Sequence, residues 1–391
     1  MSGVLDGVRV VEVGVWVAGP SAGGLMADWG ADVIKIEAPS GDPFRSVFAH
    51  LGYEGDYPNP PFALDNRGKR SVVLDLRDDT AREALDRIVA TADVFLTNLR
   101  VDALERLGLD SSTLSKRYPR LVYASVTGYG LDGPDRDRPA YDVGAFVARA
   151  GIADLMVPSD TPPLNLRGGF GDHVTGLSAL SGILGALYAR EHSGVGQVVE
   201  CSLLQAGMYS VGWDLGMQLT NGKVQKTYPR SANPTPLINS YRTADDRWFF
   251  LIGLEADRHF PGLCEAIERP DLLTDERFAD GSERVRNRRA LIAEFDAVFA
   301  ARTLDEWSVI FDQHDVWFSA VRTLAEVLED PQAQRALIEV EGMTSRSVAP
   351  PARFSAEPLT KTGPVPALGE HTADVLREIG LTESEIEALS V

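Results

Sequence analysis

The chain has 391 residues, of which 44% are hydrophobic and 24% are charged, a composition typical of a globular protein with room for two structural units. Its formal net charge is −19, and the acidic residues are spread along the chain, which disfavours nucleic acid and anionic lipid as partners. There is no apolar run long enough to cross a bilayer and no secretory pattern at the N-terminus. We therefore expect a cytoplasmic protein that binds neither nucleic acid nor membrane.

The first third of the chain alternates between strand and helix patterns. Apolar, β-rich runs predict strands at Val8–Val13, Ala31–Glu37, Ser71–Leu76, Val94–Thr97 and Leu121–Val126. Helices are predicted at Ser21–Trp29 and Thr80–Ala90. Because strand–helix–strand crossovers are right-handed and parallel, this order predicts an α/β fold with a parallel sheet and ligands beyond the carboxyl ends of its strands. The first turn is not GxGxxG, so the dinucleotide fingerprint is absent.

Breaks in the pattern divide the chain into two domains. A large Rossmann-like α/β domain is expected over residues 1–210, completed by a C-terminal segment at 340–391. Residues 211–236 are expected to form a linker and 237–330 a smaller α/β domain. That domain opens with two strands in Asn239–Gly253, joined by a turn at Ala244–Asp246. Residues 331–391 form a return linker and a C-terminal helix.

Asp172 lies among glycines immediately before a long small-residue helix predicted at Val174–Arg190. A carboxylate in this position can simply cap the helix. It can also attack a thioester carbonyl, because glycine backbone N–H groups nearby could stabilise the oxyanion by about 3 kcal/mol per donor. The residues alone leave both interpretations open.

Other kinds of site find little support in the sequence. The six histidines form neither HxxxH nor HExxH, so no metal site is expected. Two cysteines, Cys201 and Cys264, cannot build a disulfide framework, and Cys201 fits a small buried hydrophobe. There is no GxSxG elbow and no phosphate-binding GxxxxGK[ST] loop.

An ordered set of motifs extends over nearly the whole chain, from Leu5 to about Leu381. It comprises LDGVRVVEV, AGP at 18–20, GADVIKIE at 30–37, NRGKRSVVLDL at 66–76, ADVFLTNLRVDALERLGL at 92–109, SVTGYG and DGP at 125–134, RPAYD at 138–142, GD at 171–172, SGVGQVVECSLLQA at 193–206, VLEDPQ at 327–332 and GEHTADVLREIGL at 369–381. With this set the chain resembles the family III CoA transferases of the CaiB/BaiF type. That group includes formyl-CoA and carnitine CoA transferases and the related α-methylacyl-CoA racemases.

The resemblance implies that Asp172 is the nucleophile, forming first an acyl anhydride and then an aspartyl-CoA thioester. It implies an acyl-CoA donor, a small carboxylic acid acceptor, coenzyme A as a substrate, and an interlocked, ring-like homodimer. Family contacts to CoA fall at Val17, Ala18, Leu74, Asp75, Leu76, Arg77, Asn98, Leu99, Arg100, Arg106, Arg138, Tyr141 and Asp142. Arg77 and Arg106 suit the CoA phosphates, although each could be ordinary surface charge. Lys35 and Lys69 are weaker candidates.

Two further interpretations stay open within this resemblance. Racemases of the family carry His where this chain has Tyr141, and a tyrosine with a pKa of about 10 is a poor base at neutral pH. A transferase is therefore favoured over a racemase or isomerase. The third interpretation is an acyl-CoA-binding protein without catalysis.

The chain departs from the family pattern at two places. Ser231–Pro236 stands where several members have a glycine-rich lid, so the lid could differ or be lost. Ala38 and Pro39 replace a usual basic residue, and Arg45 is expected to compensate. Leu164, Asn165 and Leu166 are candidates to line the acyl pocket, but the sequence does not identify the acid.

Overall fold

The computed structural model describes residues 3–47, 59–158, 160–224, 226–356 and 358–389. Contacts divide the chain into two compact units. The first comprises Met1–Ala153, Asn165–Val224 and Arg335–Val391. The second comprises Asp154–Leu164 and Gln225–Gln334.

A six-stranded sheet forms the centre of the first unit, in the order β3-β2-β1-β4-β5-β6 with every neighbouring pair parallel. Its strands are β1 Arg9–Val13, β2 Asp32–Glu37, β3 Arg70–Val73, β4 Val94–Thr97, β5 Val122–Thr127 and β6 Val198–Ser202. The five predicted strands and the parallel α/β fold are confirmed. The sixth strand was missed because it lies at the sheet edge, where Glu200 interrupts the apolar run and half of the residues face outward.

Helices cover both faces of this sheet. The α-helices of the first unit are Ala18–Asp28, Pro60–Asn66, Asp79–Val89, Val101–Leu107, Ser111–Arg117, Phe170–Ser193, Leu203–Ser210, Gly212–Asn221, Thr372–Glu378 and Glu383–Leu389. A π-helical turn occupies Val143–Ala148, and a short helix, Ile152–Leu155, lies at the boundary between the units. One face packs against Ala18–Asp28 and Phe170–Ser193, while the other packs against Asp79–Val89 and the C-terminal helices.

The predicted linker 211–236 is wrong in part, because residues 212–221 are helical. That helix contains two glycines and buries none of its residues, so it carries no inward-facing apolar stripe that a periodicity argument could detect. The polar stretch 345–366 also contributes strands. β11 (Ser347–Val348) and β12 (Lys361–Thr362) flank β10 (Leu337–Val340) in a small separate sheet.

The second unit has its own aromatic core. Its three-stranded antiparallel sheet contains β7 Ser240–Arg242, β8 Trp248–Leu251 and β9 Phe318–Ala320. The two strands predicted within Asn239–Gly253 are confirmed. Its main helices are Ala256–Ala266, Gly281–Arg286, Arg288–Phe299, Leu304–Gln313, Leu324–Glu329 and Pro331–Gln334. Phe249, Phe295, Phe299 and Phe311 are fully buried between these elements.

A fully buried ionic network lies beneath the carboxyl ends of β1 and β2. Glu12 accepts hydrogen bonds from Lys35 at 3.0 Å and from Lys69 at 2.7 Å, and Lys35 also pairs with Asp42 at 3.0 Å. Although burial alone would raise the pKa of Glu12, the two ammonium groups lower it. Lys35 and Lys69 are therefore structural and inaccessible, and the suggestion that they contact CoA phosphates is wrong.

We predict that Glu12→Gln lowers the free energy of unfolding by about 3–5 kcal/mol, because two ammonium groups would stay buried with less compensating charge. Denaturant unfolding followed by circular dichroism measures the change. The matched control is Asp374→Asn, which removes the exposed ion pair with Arg377 (2.8 Å) and should cost less than about 1 kcal/mol. Equal, small effects of the two substitutions would contradict the prediction.

Candidate active site

The strand order places a crevice at the carboxyl ends of β1 and β4. Successive strands extend outward in opposite directions from these two neighbours, and loops at such a switch point separate to leave room for a ligand. A cavity of about 570 Å³ lies along this edge. It is lined by residues that follow β1, β2, β3 and β4.

Five of the predicted CoA contacts line this cavity, namely Leu74, Asp75, Leu76, Arg77 and Leu99. Arg77 is 87% exposed and forms an ion pair of 2.7 Å with Asp75. That pair lowers the pKa of Asp75 to about 2. A guanidinium held at the mouth of the cavity is well placed for an anionic ligand, which would compete with Asp75 for it.

Asn98 has a structural role at the switch point. Its side-chain amide donates to the Val15 carbonyl at 2.7 Å and accepts from the Val15 N–H at 2.9 Å. A Cβ on Gly14 would come within 2.8 Å of the Asn98 Oδ1, so glycine is needed for this close approach. Val17 and Ala18 follow as buried residues at the start of the helix Ala18–Asp28.

The other predicted basic contacts lie outside the cavity lining. Arg106 pairs with Asp102 at 2.8 Å, and Arg138 pairs with Asp135 at 3.4 Å; both arginines are exposed. Arg100 precedes the helix Val101–Leu107 as its N-cap residue and is also exposed. The structure thus brings the cavity-lining residues together but leaves these three arginines on the surface.

Trp16 connects the cavity to the segment around Tyr141. Its backbone is left-handed (φ 63°), an uncommon conformation for a tryptophan. The backbone N–H of Trp16 donates at 3.0 Å to the side chain of Asp42, which lines the cavity. Its ring meets the Tyr141 ring edge-on at 5.9 Å, and Tyr141 is 62% exposed. The rings of Trp16 and Tyr141 therefore form an aromatic contact between the sheet edge and the segment that contains Asp142.

Asp142 continues this connection to the turn that precedes the helix carrying Asp172. Its side chain is buried and accepts hydrogen bonds from Val143 N–H at 2.7 Å and Gly169 N–H at 2.9 Å. Gly169 is left-handed (φ 89°) and is the N-cap of the helix Phe170–Ser193. Asp142, a predicted CoA contact, therefore holds the turn from which this helix starts.

Asp172 is the third residue of that helix and does not cap it. The capping interpretation is wrong, since the N-cap is Gly169 and no side chain makes a cap hydrogen bond. The helix begins four residues earlier than predicted: of the three glycines before Asp172, Gly168 and Gly169 form the turn and Gly171 already lies inside the helix. A Cβ on Gly171 would come within 2.5 Å of Phe146, so glycine allows this first turn to pack closely.

The Asp172 carboxylate is half-buried and has no hydrogen bond or ion pair within the described parts of the chain. Burial raises its pKa to about 7, and the neighbouring charge of Asp142 adds to the effect. Helix positions 170–172 also have backbone N–H groups without an acceptor inside the helix. An unpaired carboxylate beside free N–H donors suits nucleophilic attack on a carbonyl.

His173 and Asp65 form a pair beside Asp172 that sequence reasoning missed. The His173 Nε2 lies 3.0 Å from the Asp65 Oδ1, and Asp65 is buried. The hydrogen bond with Asp65 raises the pKa of His173. Since 107 residues separate this aspartate from Asp172, no local motif connects them.

Three other expectations can be placed on the structure. Arg45 is bound to Glu37 at 2.7 Å and to the Pro366 carbonyl at 3.0 Å, and its expected compensation for the missing basic residue stays a prediction. Within Ser231–Pro236, Asn233 accepts from the Thr235 N–H at 3.0 Å, which makes this segment a hydrogen-bonded turn of the second unit. Leu166 packs against the Phe146 cluster, while Leu164 belongs to the second unit.

No helix among the described residues is long and apolar enough to cross a membrane. Comparison with known proteins shows several relatives over the full chain. One is 36% identical to this chain, covering 99% of it and 96% of the relative: cinnamoyl-CoA:phenyllactate CoA-transferase of Clostridium sporogenes. Another is 32% identical, covering 98% and 97%: (R)-2-hydroxy-4-methylpentanoate CoA-transferase of Clostridioides difficile.

The fold is shared with a crystal structure of a CAIB/BAIF family protein from Brucella suis. The two are 32% identical with a TM-score of 0.85, over 97% of this chain and 100% of the other. Residues 5–372 match the family described as CoA-transferase family III. The expected resemblance is thereby confirmed, and the chain belongs to CoA-transferase family III.

Proposed function

We propose that this protein transfers CoA from an acyl-CoA donor to a carboxylic acid through covalent intermediates on Asp172. The observation that carries the proposal is the unpaired, half-buried carboxylate of Asp172 at the start of a 24-residue helix. A carboxylate needed only for stability would be expected to have a hydrogen-bonded partner.

The chemistry balances without any added acid or base. An Asp172 oxygen attacks the acyl carbon, the C–S bond breaks, and CoA leaves as a thiolate with a mixed anhydride behind. The thiolate then attacks the aspartyl carbon, which releases the donor acid and leaves an aspartyl-CoA thioester. The acceptor carboxylate attacks this thioester to form a second anhydride, and the released thiolate takes the new acyl group and frees Asp172.

The start of the helix Phe170–Ser193 can stabilise the negative charge that forms during these reaction steps. Each attack places a negative charge on a carbonyl oxygen, and the free N–H groups of Phe170 and Gly171 are candidates to receive it. The positive end of the helix dipole favours the same charge. The Gly169 turn that presents these donors is held by Asp142, which we assign a positioning role.

We propose that CoA lies along the edge formed by the carboxyl ends of β1, β3 and β4. Leu74, Asp75, Leu76, Arg77 and Leu99 line the cavity there. We propose that Val17, Ala18, Asn98, Tyr141 and Asp142 also contact CoA. Arg100, Arg106 and Arg138 would meet the phosphates, with Arg106 and Arg138 exchanging their present carboxylate partners.

The acid is proposed to be a 2-hydroxy acid with an apolar or aromatic side chain. Two relatives are named for phenyllactate and 2-hydroxy-4-methylpentanoate. The exposed rings of Tyr141 and Phe170 adjoin Asp142 and Asp172 in the chain, and they offer apolar contact to such a group. A short dicarboxylate has no apolar side chain that could pack against these rings.

We predict that Asp172→Ala abolishes covalent labelling and lowers transferase turnover by at least about 10⁴-fold, since the neighbouring carboxylates of Asp142 and Asp65 are held by hydrogen bonds. Intact-protein mass spectrometry with cinnamoyl-CoA, branched acyl-CoAs and succinyl-CoA would detect an acyl or CoA adduct on the wild type, mapped to the peptide holding Asp172. The control Asp132→Ala removes an exposed aspartate and should label normally.

The remaining outcomes separate the rival functions. Absence of an adduct combined with solvent deuterium at the α-carbon would indicate a racemase or isomerase instead. Binding of acyl-CoA without either signal would indicate a non-catalytic acyl-CoA-binding protein.

We predict that kcat/KM rises with pH through a midpoint near 7 and levels off at higher pH, because only the ionised Asp172 can attack and its pKa is raised to about 7. Initial rates from about pH 5 to about pH 9 would measure this midpoint. Repeating the titration with a pantetheine thioester, which lacks the CoA phosphates, separates the enzyme group from those phosphates. A midpoint near pH 4 would contradict the prediction.

The homodimer is proposed to use the helix Gly212–Asn221. No residue of this helix is buried, and Trp213 and Leu219 are each 87% exposed. A ten-residue helix without packing would be marginally stable in water, and exposed apolar side chains of this size mark an interaction surface. A second copy of this chain is the partner that the family resemblance implies.

We predict that Trp213→Glu combined with Leu219→Glu shifts the protein from dimer to monomer or makes it aggregate, because charge cannot be buried unpaired at an interface. Light scattering coupled to size-exclusion chromatography measures the mass. Gln218→Glu, on the same helix, is the matched control and should stay dimeric. A wild-type monomer would overturn the proposal.

A further inference from the structure

His173 is the one histidine near Asp172 along the helix start, and its position is set by contacts on two sides. Its Nε2 bonds to Asp65 at 3.0 Å. Its ring also lies against Gly169, where an added Cβ would be 3.6 Å from the imidazole Cε1. The ring is thus held between a buried carboxylate and the turn that begins the helix.

Asp65 in turn is held by tight packing. The helix Pro60–Asn66 lies so close to Ala18–Asp28 that a Cβ on Gly24 would come within 2.6 Å of the Asp65 carbonyl oxygen. The Asp65 side chain is buried, with Lys69 and Glu12 as its other charged neighbours. Asp65 therefore offers His173 a fixed partner.

The charges around Asp172 are unbalanced without His173. Asp142 reaches it from the segment before the π-helical turn, and Asp65 from the helix Pro60–Asn66; both raise its pKa, whereas His173 lowers it. On the other elements packed against this helix, Asp28 is ion-paired with Arg67 at 2.7 Å. The helix Leu203–Ser210 has no charged residue.

We propose that the His173 imidazolium, held by Asp65, is the counter-charge that keeps the Asp172 carboxylate ionised and ready to attack. This inference rests on the proposed function. His173 is a positioning residue that acts through Asp172, and it neither takes nor gives a proton during CoA transfer. Like charges confined to one site suppress each other's ionisation, and one fixed cation relieves this.

The test is the pH dependence of His173→Gln, which keeps a donor for Asp65 but loses the positive charge. The midpoint of kcat/KM should move alkaline by about one pH unit. Activity at pH 7 should then fall about fivefold and recover at higher pH. His173→Lys restores the charge and should return the midpoint toward that of the wild type.

Two further variants separate charge from structure. The double variant Asp65→Asn, His173→Gln removes the cation and its carboxylate together, so its midpoint should lie close to that of the wild type. His192→Gln, at the far end of the same helix and bonded to the Tyr188 carbonyl, should leave the midpoint unchanged. An unchanged midpoint in His173→Gln, whatever its kcat, would overturn the proposal.

A second readout needs no activity. A carboxyl with a raised folded-state pKa favours folding at low pH and loses this contribution as pH rises. The stability of the wild type relative to Asp172→Asn should therefore fall above about pH 4 and level off near 7. In the His173→Gln background it should level off about one unit higher. This result stands even if no CoA adduct forms, in which case the proposed function fails and the electrostatic pairing does not.

Discussion

The candidate active site depends on how closely the helix Ala18–Asp28 approaches its neighbours. A Cβ added to Gly176 would come within 2.0 Å of the Ser21 hydroxyl, and one added to Gly23 would come within 2.0 Å of the Glu12 carboxylate. These glycines bring the first turns of two helices and the end of a strand into contact. Because Gly176 lies one turn beyond Asp172, this packing sets where Asp172 lies relative to the sheet edge.

The buried charges follow from the same approach. Lys69 reaches Glu12 at 2.7 Å and the Pro20 carbonyl at 2.9 Å, so it links the strand β1 to the helix above it. Burial lowers the pKa of Lys69 to about 8, a cost that the neighbouring Glu12 partly offsets. This network fills the space beneath the crevice with charges that are already paired. The lysines of this network are therefore not accessible to a ligand. The exposed basic side chains at this edge, Arg77 and Arg100, lie in the loops that follow the strands.

Within the part of the chain that the structure describes, Asp172 has neighbours of like charge but forms no hydrogen bond or ion pair. Partly exposed aspartates such as Asp75 and Asp102 have arginine partners, which lower their pKa. Asp172 is half-buried near Asp142 and Asp65, and its pKa is raised. A carboxylate with a higher pKa is a stronger nucleophile once ionised, but a smaller fraction of it is ionised at neutral pH. The proposed His173 charge lowers this pKa, so it raises the ionised fraction at some loss of basicity.

The sequence by itself determined the parallel α/β fold, its first five strands in chain order and the family, and through the family resemblance it made Asp172 the candidate nucleophile. These rest on local patterns: apolar runs, glycines beside a carboxylate, and ordered motifs. It could not show that Gly169 is the N-cap of the helix in place of Asp172. Capping and thioester attack are both compatible with an aspartate that follows glycines at a helix start, so the local pattern does not separate them. It also missed the edge strand β6 and the pairing of His173 with Asp65. Contacts between residues far apart in sequence, such as Asp142 with Gly169, arise only when the helices pack, so only the tertiary structure decided them.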